Sequence, residues 1–376
     1  MANTLYISII TIAAILLSSA FRANNTEKRE LILIFTVSLL SKLFFFLVWT
    51  IYKAGFLDPN YLQFPDEHTY LGFDGGSASN VYFYIVYYLK GWSVDIFTLK
   101  FLNMAICALS AARIYSVIFD YKESQPWLAK YIIILYALSP LTAYFSVFVL
   151  REAFIFLLLS ELFVRLLRPN GRNTYIYIPA LILILSMFRT EFIGFFIIYI
   201  MRMSMNKQLL IYSLAGAILI AFAPQFSEIY YSYARMGLYH NVFGGDPLAA
   251  AVRVSTASLS TTILISVISA NISSSIMPSI NGDFLIFVFH MLIYIPIVIL
   301  LSEKKNRVAF MRQKIIWVPL LLMCFGGLVT FFNFRYFAVL AQFIVLAMIV
   351  SGGNARDGVG SRYSESIEEM PKSRDK

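Results

Sequence analysis

The chain has 376 residues, of which 59% are hydrophobic and only 14% charged, against about half apolar and a quarter charged in soluble domains. The apolar surplus, with 34 Phe and 24 Tyr, exceeds what one water-soluble core of this length can bury, which excludes a soluble enzyme carrying a single anchor helix. The net charge of +9 is spread over short loops between apolar runs, a pattern that excludes a nucleic-acid partner and fits membrane topology.

A segment needs about 17 to 25 residues to cross a hydrocarbon layer about 30 Å thick. In chain order, residues 5–21, 31–52, 96–119, 127–150, 284–301 and 315–332 meet that requirement, and shorter apolar runs occupy 154–167, 175–188, 192–203, 209–223 and 336–350. The first run has neither a basic leader nor a small-residue cleavage site, so it is expected to stay as a helix and not to be removed as a signal peptide. The stretch 175–203 is interrupted by Arg189, Thr190 and Glu191. Arg165, Arg168 and Arg172 precede it, and Arg202 and Lys207 follow it. Both flanks therefore belong on the inner side, and the stretch is expected to form a hairpin of two short helices.

The same rule applied throughout predicts an all-α polytopic bundle of about 11 spans. Its N-terminus lies outside, its C-terminus inside, and most of the 30 Lys and Arg face inward. Residues 1–350 form the transmembrane domain. Residues 351–376 have the Gly, Ser and charge content of a disordered cytoplasmic tail. Two outer segments are long, 53–95 and 224–283, and within the second, 261–278 is expected to be re-entrant or to lie along the surface. Cys107 and Cys324 sit inside apolar stretches and read as small core residues.

This parity brings Asp66 and Glu67, Arg151 and Glu152, Arg189 and Glu191, and Arg335 to one outer side. At about 1.5 Å rise per residue the hairpin arms reach only about 20 Å, so their charged tip lies below the lipid surface. Charge at that depth marks a functional site unless it only snorkels or pairs. Pro65 suits a first helical turn, which puts Asp66 and Glu67 at a positive helix end. A carboxylate there can act as general base or bind a divalent cation. His68 has no second His or Cys at ligand spacing. The arginines suit a phosphate-bearing lipid, because guanidinium forks match phosphate and keep their charge when partly desolvated. Lys42 and Glu161 fall mid-span and are placed to pair with each other. No phosphate-cradling Gly-rich loop, zinc-protease helix or Gly-x-Ser-x-Gly elbow is present.

Several short motifs resemble the GT-C superfamily of polytopic glycosyltransferases, in its protein-mannosyltransferase and aminoarabinose-transferase branches. They are Phe64-Pro65-Asp66-Glu67-His68-Thr69-Tyr70, the run from Leu138-Ser139-Pro140 through Phe145-Ser146 to Leu150-Arg151-Glu152, then Phe188-Arg189, and finally Phe334-Arg335-Tyr336. The resemblance spans about 31–350. It implies a membrane bundle with outer juxtamembrane helices, a polyprenyl-phosphate-linked sugar as donor, and a glycan or lipid acceptor. It also implies a bacterial inner membrane whose active side faces the periplasm or exterior.

By position, the family's catalytic carboxylate falls on Asp66, with Glu67 as second choice. Its phosphate-binding arginines fall on Arg335, Arg189 or Arg151, beside Glu152, Glu191 and Tyr336. The implied reaction is inverting transfer, with a divalent cation, magnesium or manganese, as an optional cofactor. Two features depart from the family. An extra helix precedes the acidic loop, and no large soluble domain follows the bundle, which leaves the acceptor open. Two other readings stand beside this one. A repeat-unit polymerase for O-antigen or capsule would use Arg235 and Arg253 of the second outer segment. An ion-coupled lipid or solute transporter would use Lys42 and Glu161.

Overall fold

The computed structural model describes residues 25–54, 65–119, 134, 136–167, 174–201, 204–221, 294–313, 342 and 345–346. These residues are mostly helical, and no strand occurs among them. Two helices are long and apolar enough to cross a membrane: α1 (Asn25–Ala54), over Arg29–Ile51, and the later helix Ile96–Phe119, over Ile96–Ser116. Between them lie α2 (Pro65–Leu71) and α3 (Val81–Gly91), so Ile96–Phe119 is α4. The chain continues through α5 (Pro140–Ser146), α6 (Glu152–Leu167) and α7 (Thr174–Phe188). A 3₁₀ helix (Thr190–Phe196), α8 (Ile197–Ile200) and α9 (Met205–Ala221) follow, and α10 (Tyr294–Ser302) and α11 (Lys304–Arg312) complete the set.

The long helices differ in what covers them. α1 leaves Ile32, Leu33, Leu40, Phe44, Leu47, Val48 and Ile51 exposed, an apolar face that only lipid can solvate cheaply. α4 is the central strut and is mostly buried. Its stretch Ala105, Cys107, Ala108, Ser110, Ala111 and Ala112 keeps side chains small, so that Phe35 of α1 settles against Ala108, Leu109 and Ala112. Small residues of this kind let helices approach closely where lipid removes the hydrophobic drive to associate.

Contacts fix the directions. Glu30 accepts a hydrogen bond from the Tyr115 hydroxyl at one end of the α1–α4 pair, so these helices run antiparallel. Asn103 reaches the Leu150 carbonyl and Arg113 reaches Glu161, which makes α6 parallel to α4. α7 returns antiparallel to α6, with Arg165 over the Tyr177 ring at one end and Phe154 stacked on Phe188 at the other. After Arg189 the chain reverses again and brings Phe195 edge-on to Phe163. The reversal falls at Arg189, the tip expected of the hairpin.

The expected continuous span over 127–150 is corrected. Helix is interrupted at Leu138 and Ser139, resumes as α5, and ends at Ser146, leaving 147–150 non-helical. Pro140 explains the first break: it lacks an N–H and its ring opposes helix through the preceding turn. Ser139 then caps the new helix, its hydroxyl accepting from Thr142 N. The segment still climbs beside α1, from Ala137 near Ser38 to Phe148 near Trp49.

The expected pairing of two charged residues inside spans also differs. Lys42 and Glu161 do not pair. Glu161 takes Arg113 and Arg165, both close to it on α4 and on its own helix. Lys42 is buried and donates to Ser38 Oγ at 2.7 Å and to the carbonyls of Ser38 and Ala137 at 3.4 Å. The Ala137 carbonyl sits at the Ser139–Pro140 break, where the helical ladder is interrupted, so the ammonium and the Ser38 hydroxyl serve a group that helix continuation would have served.

The start of α4 is fixed by Asp95. Its Oδ1 accepts from Thr98 N at 2.9 Å and its Oδ2 from the Thr98 hydroxyl at 3.0 Å. The Thr98 backbone N–H, joined by that hydroxyl, holds the carboxyl below the ordinary carboxylate value. Losing this cap in Asp95→Ala should cost about 1 kcal/mol, whereas Asp95→Asn keeps a capping oxygen and should cost little. The folded carboxyl is depressed, so its contribution is complete above the ordinary carboxylate range and disappears as pH falls through the depressed value. Unfolding midpoints in detergent, compared between neutral and acid pH, should drop less steeply for Asp95→Asn than for the parent chain.

Candidate functional site

At the end of the bundle where α1 and α7 finish and α4 and α6 begin, polar groups gather around the non-helical residues 147–150. Val147, Phe148, Val149 and Leu150 are all buried. Backbone buried in apolar surroundings must find hydrogen-bond partners, since each unmet group costs about 1–3 kcal/mol. Leu150 N donates to the Phe148 carbonyl at 2.9 Å. Asn103 Nδ2 donates to the carbonyls of Phe148 at 2.7 Å and Leu150 at 3.0 Å, so one amide serves both. The Val149 N–H donates to Glu67 Oε1 at 2.9 Å.

Glu67 is fully buried and is matched by Lys100, whose Nζ lies 3.1 Å from Oε1 and 3.2 Å from Oε2. The ammonium also stands over the Phe148 ring, 5.3 Å from its centroid. This ion pair joins three parts of the chain: α2 carries the acid, α4 the base, and the 147–150 segment the amide. Asn103 Nδ2 also reaches the Tyr82 hydroxyl at 3.2 Å, which draws in α3. Burial pushes the Tyr82 phenol well above its ordinary value, against the opposing hydrogen bond from Asn103, and Glu152 and Glu67 add to the rise.

α2 and α3 are stitched into one unit above this floor. The Tyr70 ring meets the Tyr82 ring edge-on, Lys90 donates to the Leu71 carbonyl, and the Tyr84 hydroxyl donates to the Gly76 carbonyl at 3.1 Å. Gly75 has φ +97°, and a Cβ there would lie 3.0 Å from the Tyr87 ring, so the turn between the helices needs glycine on two counts.

Two arginine-bearing turns lie together on the other flank. Arg151 Nη1 donates to the Phe188 carbonyl at 3.0 Å, placing a guanidinium at the negative end of α7. Arg189 follows directly. Its N–H donates to Leu185 O and its carbonyl accepts from Phe192 N, which makes it the pivot between α7 and the 3₁₀ helix. Glu152 is buried at the first turn of α6.

Of the residues predicted for the site, Glu67, Arg151, Glu152 and Arg189 therefore share this end. Asp66 lies in the first turn of α2 and Glu191 in the 3₁₀ helix, and the side chains of both fall outside the described residues, as do Arg335 and Tyr336. Lys100, Asn103 and Tyr82 belong to the site and are absent from the sequence prediction. The available signal is Lys100 and Asn103, three residues apart near the start of an apolar span, where one helix face presents both. Glu67 is a poor metal ligand here, because both of its oxygens are engaged by Lys100 and the Val149 N–H.

No family model matches the chain, and no curated protein or solved structure matches it either.

Removing one member of the buried ion pair strands the other. Glu67→Gln or Lys100→Met alone should destabilise the protein by about 3–5 kcal/mol, and the double change should recover much of that loss. Denaturation of the purified variants in detergent, analysed as a double-mutant cycle, tests this. Additive losses would mean that the two charges do not depend on each other.

Proposed function

We propose that the protein is an integral membrane glycosyltransferase that moves a sugar from a polyprenyl-phosphate donor to an acceptor hydroxyl at the outer face. The observation that carries this reading is the Glu67 anchor. It binds the acidic helix α2 to the Val149 N–H, two residues before Arg151, while Arg151 itself reaches the segment that bears Arg189. One end of the bundle thus holds an acidic loop and two guanidinium-bearing turns, the combination suited to a reaction that deprotonates a hydroxyl and releases a phosphate.

In this mechanism Asp66 accepts the proton of the acceptor hydroxyl as its oxygen attacks the anomeric carbon. The bond between that carbon and the phosphate oxygen breaks, and the lipid phosphate leaves with the electron pair. Arg189, Arg335 and Arg151 receive the growing negative charge. Glu67 positions the loop and takes no proton, because its oxygens are already bound.

The transporter reading loses its proposed coupling pair, since Lys42 and Glu161 have separate partners. The polymerase reading rests on Arg235 and Arg253, which fall outside the described residues. Purified protein incubated with radiolabelled polyprenyl-phosphate sugars should give labelled product. Asp66→Asn should reduce the rate by about 10²-fold or more without lowering the unfolding midpoint. Full activity in Asp66→Asn with loss in Arg235→Ala would transfer the assignment to a polymerase, and solute flux without covalent change would support a transporter.

A further inference from the structure

A second surface lies on α10 and α11, remote in sequence from the acidic loop. α10 exposes Ile295, Val298 and Ile299, one apolar stripe at helical spacing, while Leu301 packs against the core. Two residues after α10 ends, α11 starts behind Glu303. α11 has two faces. Asn306 is 4% exposed and Phe310 packs against the core, so this side is used within the protein. The outward side presents Lys304, Arg307, Val308 and Met311, with Val308 43% and Met311 54% exposed. Positions 304, 308 and 311 fall on one stripe, and Arg307 flanks it.

An apolar pair framed by basic residues, on a helix joined directly to one with an exposed apolar stripe, is costly in water and fits the boundary between headgroups and acyl chains. Positive charge there complements anionic lipid, with each basic residue near the surface shifting the balance about fivefold. A protein partner with an acidic groove would also suit the charge, but the adjoining α10 exposes Ile295, Val298 and Ile299, an apolar surface that suits acyl chains and not an acidic groove. The membrane is therefore the surface at hand.

We propose that α11 is an interfacial anchor lying in the headgroup layer, with Val308 and Met311 toward the acyl chains and Lys304 and Arg307 on the phosphates of anionic lipids. This does not depend on the transferase reading. The test uses the full chain with Cys107 and Cys324 replaced by Ala, carrying a spin label at Val308→Cys or Met311→Cys. It is reconstituted in vesicles of phosphatidylglycerol and phosphatidylcholine, or of phosphatidylcholine alone. In the anionic vesicles both labels should collide with oxygen several-fold more than with a water-soluble nickel chelate. That preference should weaken by about fivefold or more without phosphatidylglycerol or in Lys304→Gln/Arg307→Gln. Labels open to the chelate in every vesicle would overturn the proposal, as would labels shielded from both reagents, which would mean that protein covers the helix. If the cysteine-free chain fails to fold, the same residues are tested by Met311→Trp fluorescence and its quenching by brominated lipid, with strong quenching expected and its absence overturning the proposal.

Discussion

The rest of the structure depends on how four buried, non-helical residues satisfy their backbone. Residues 147–150 lie where neither water nor helix continuation can serve them, and side chains from two other helices do so instead: Asn103 for the Phe148 and Leu150 carbonyls, Glu67 for the Val149 N–H. Because the acceptor chosen for that N–H is a carboxylate, a compensating charge is required, and Lys100 supplies it. Burying such a pair is seldom a net gain over a well-packed apolar pair. Its presence is better explained by what it connects, which is the acidic helix α2, the central helix α4 and the turn that leads into Arg151. The break at Ser139–Pro140 poses the same problem and is met from α1, where Ser38 and Lys42 serve the Ala137 carbonyl. The short helix α5 thus stands between two interruptions, each fastened by polar side chains of its neighbours.

The helical class and two apolar helices long enough to cross a membrane were legible from composition and charge order. α1 and α4 cover the runs at 31–52 and 96–119, where a long apolar stretch satisfies its own backbone as helix and is long enough to cross a membrane. The reversal at Arg189 was legible because charge interrupts an apolar run whose two flanks are both basic. The broken helix was harder to see. Residues 127–150 are apolar enough to cross, and hydropathy does not register that Ser139–Pro140 divides them. Pro140 was the visible mark, but a proline also sits inside α7, at Pro179, without ending that helix. What distinguishes Pro140 is the serine before it, which caps, and the donors on α1 that receive the freed carbonyl; only the second of these requires the fold.

The site was legible in part for the same reason. Charge parity gathers Glu67, Arg151, Glu152 and Arg189 at one end without any knowledge of packing. It cannot say which charge meets which. Lys42 and Glu161 show the error that results, since both lie mid-span and carry opposite charge, yet Glu161 has Arg113 and Arg165 within direct contact. Electrostatic attraction falls with distance and is decided by the nearest partner of suitable geometry. Arg165 is one turn away on the same helix, so it was available from sequence alone. Lys100 and Asn103 were overlooked because they stand near a span's end, where polar residues usually only mark the boundary.

The neighbouring acids of α2 illustrate why adjacent charges in one motif need not share a task. Glu67 has both oxygens engaged, one of them with a backbone N–H that fixes the course of the chain into α6. To accept a proton from a substrate it would have to give up one of those bonds, and the turn before Arg151 would lose its tie to α2. A base that dismantles its own support during each turnover is a poor design, so under the proposed transferase reading the proton-accepting role is assigned to a residue that leaves these contacts intact. Asp66 is the neighbour that the same anchor holds in place. On that reading the two acids divide the work, Glu67 locating the loop and Asp66 acting from it. That division also separates two failures experimentally, since disturbing Glu67 strands Lys100 and weakens the fold, whereas a change confined to the chemistry leaves the buried pair whole.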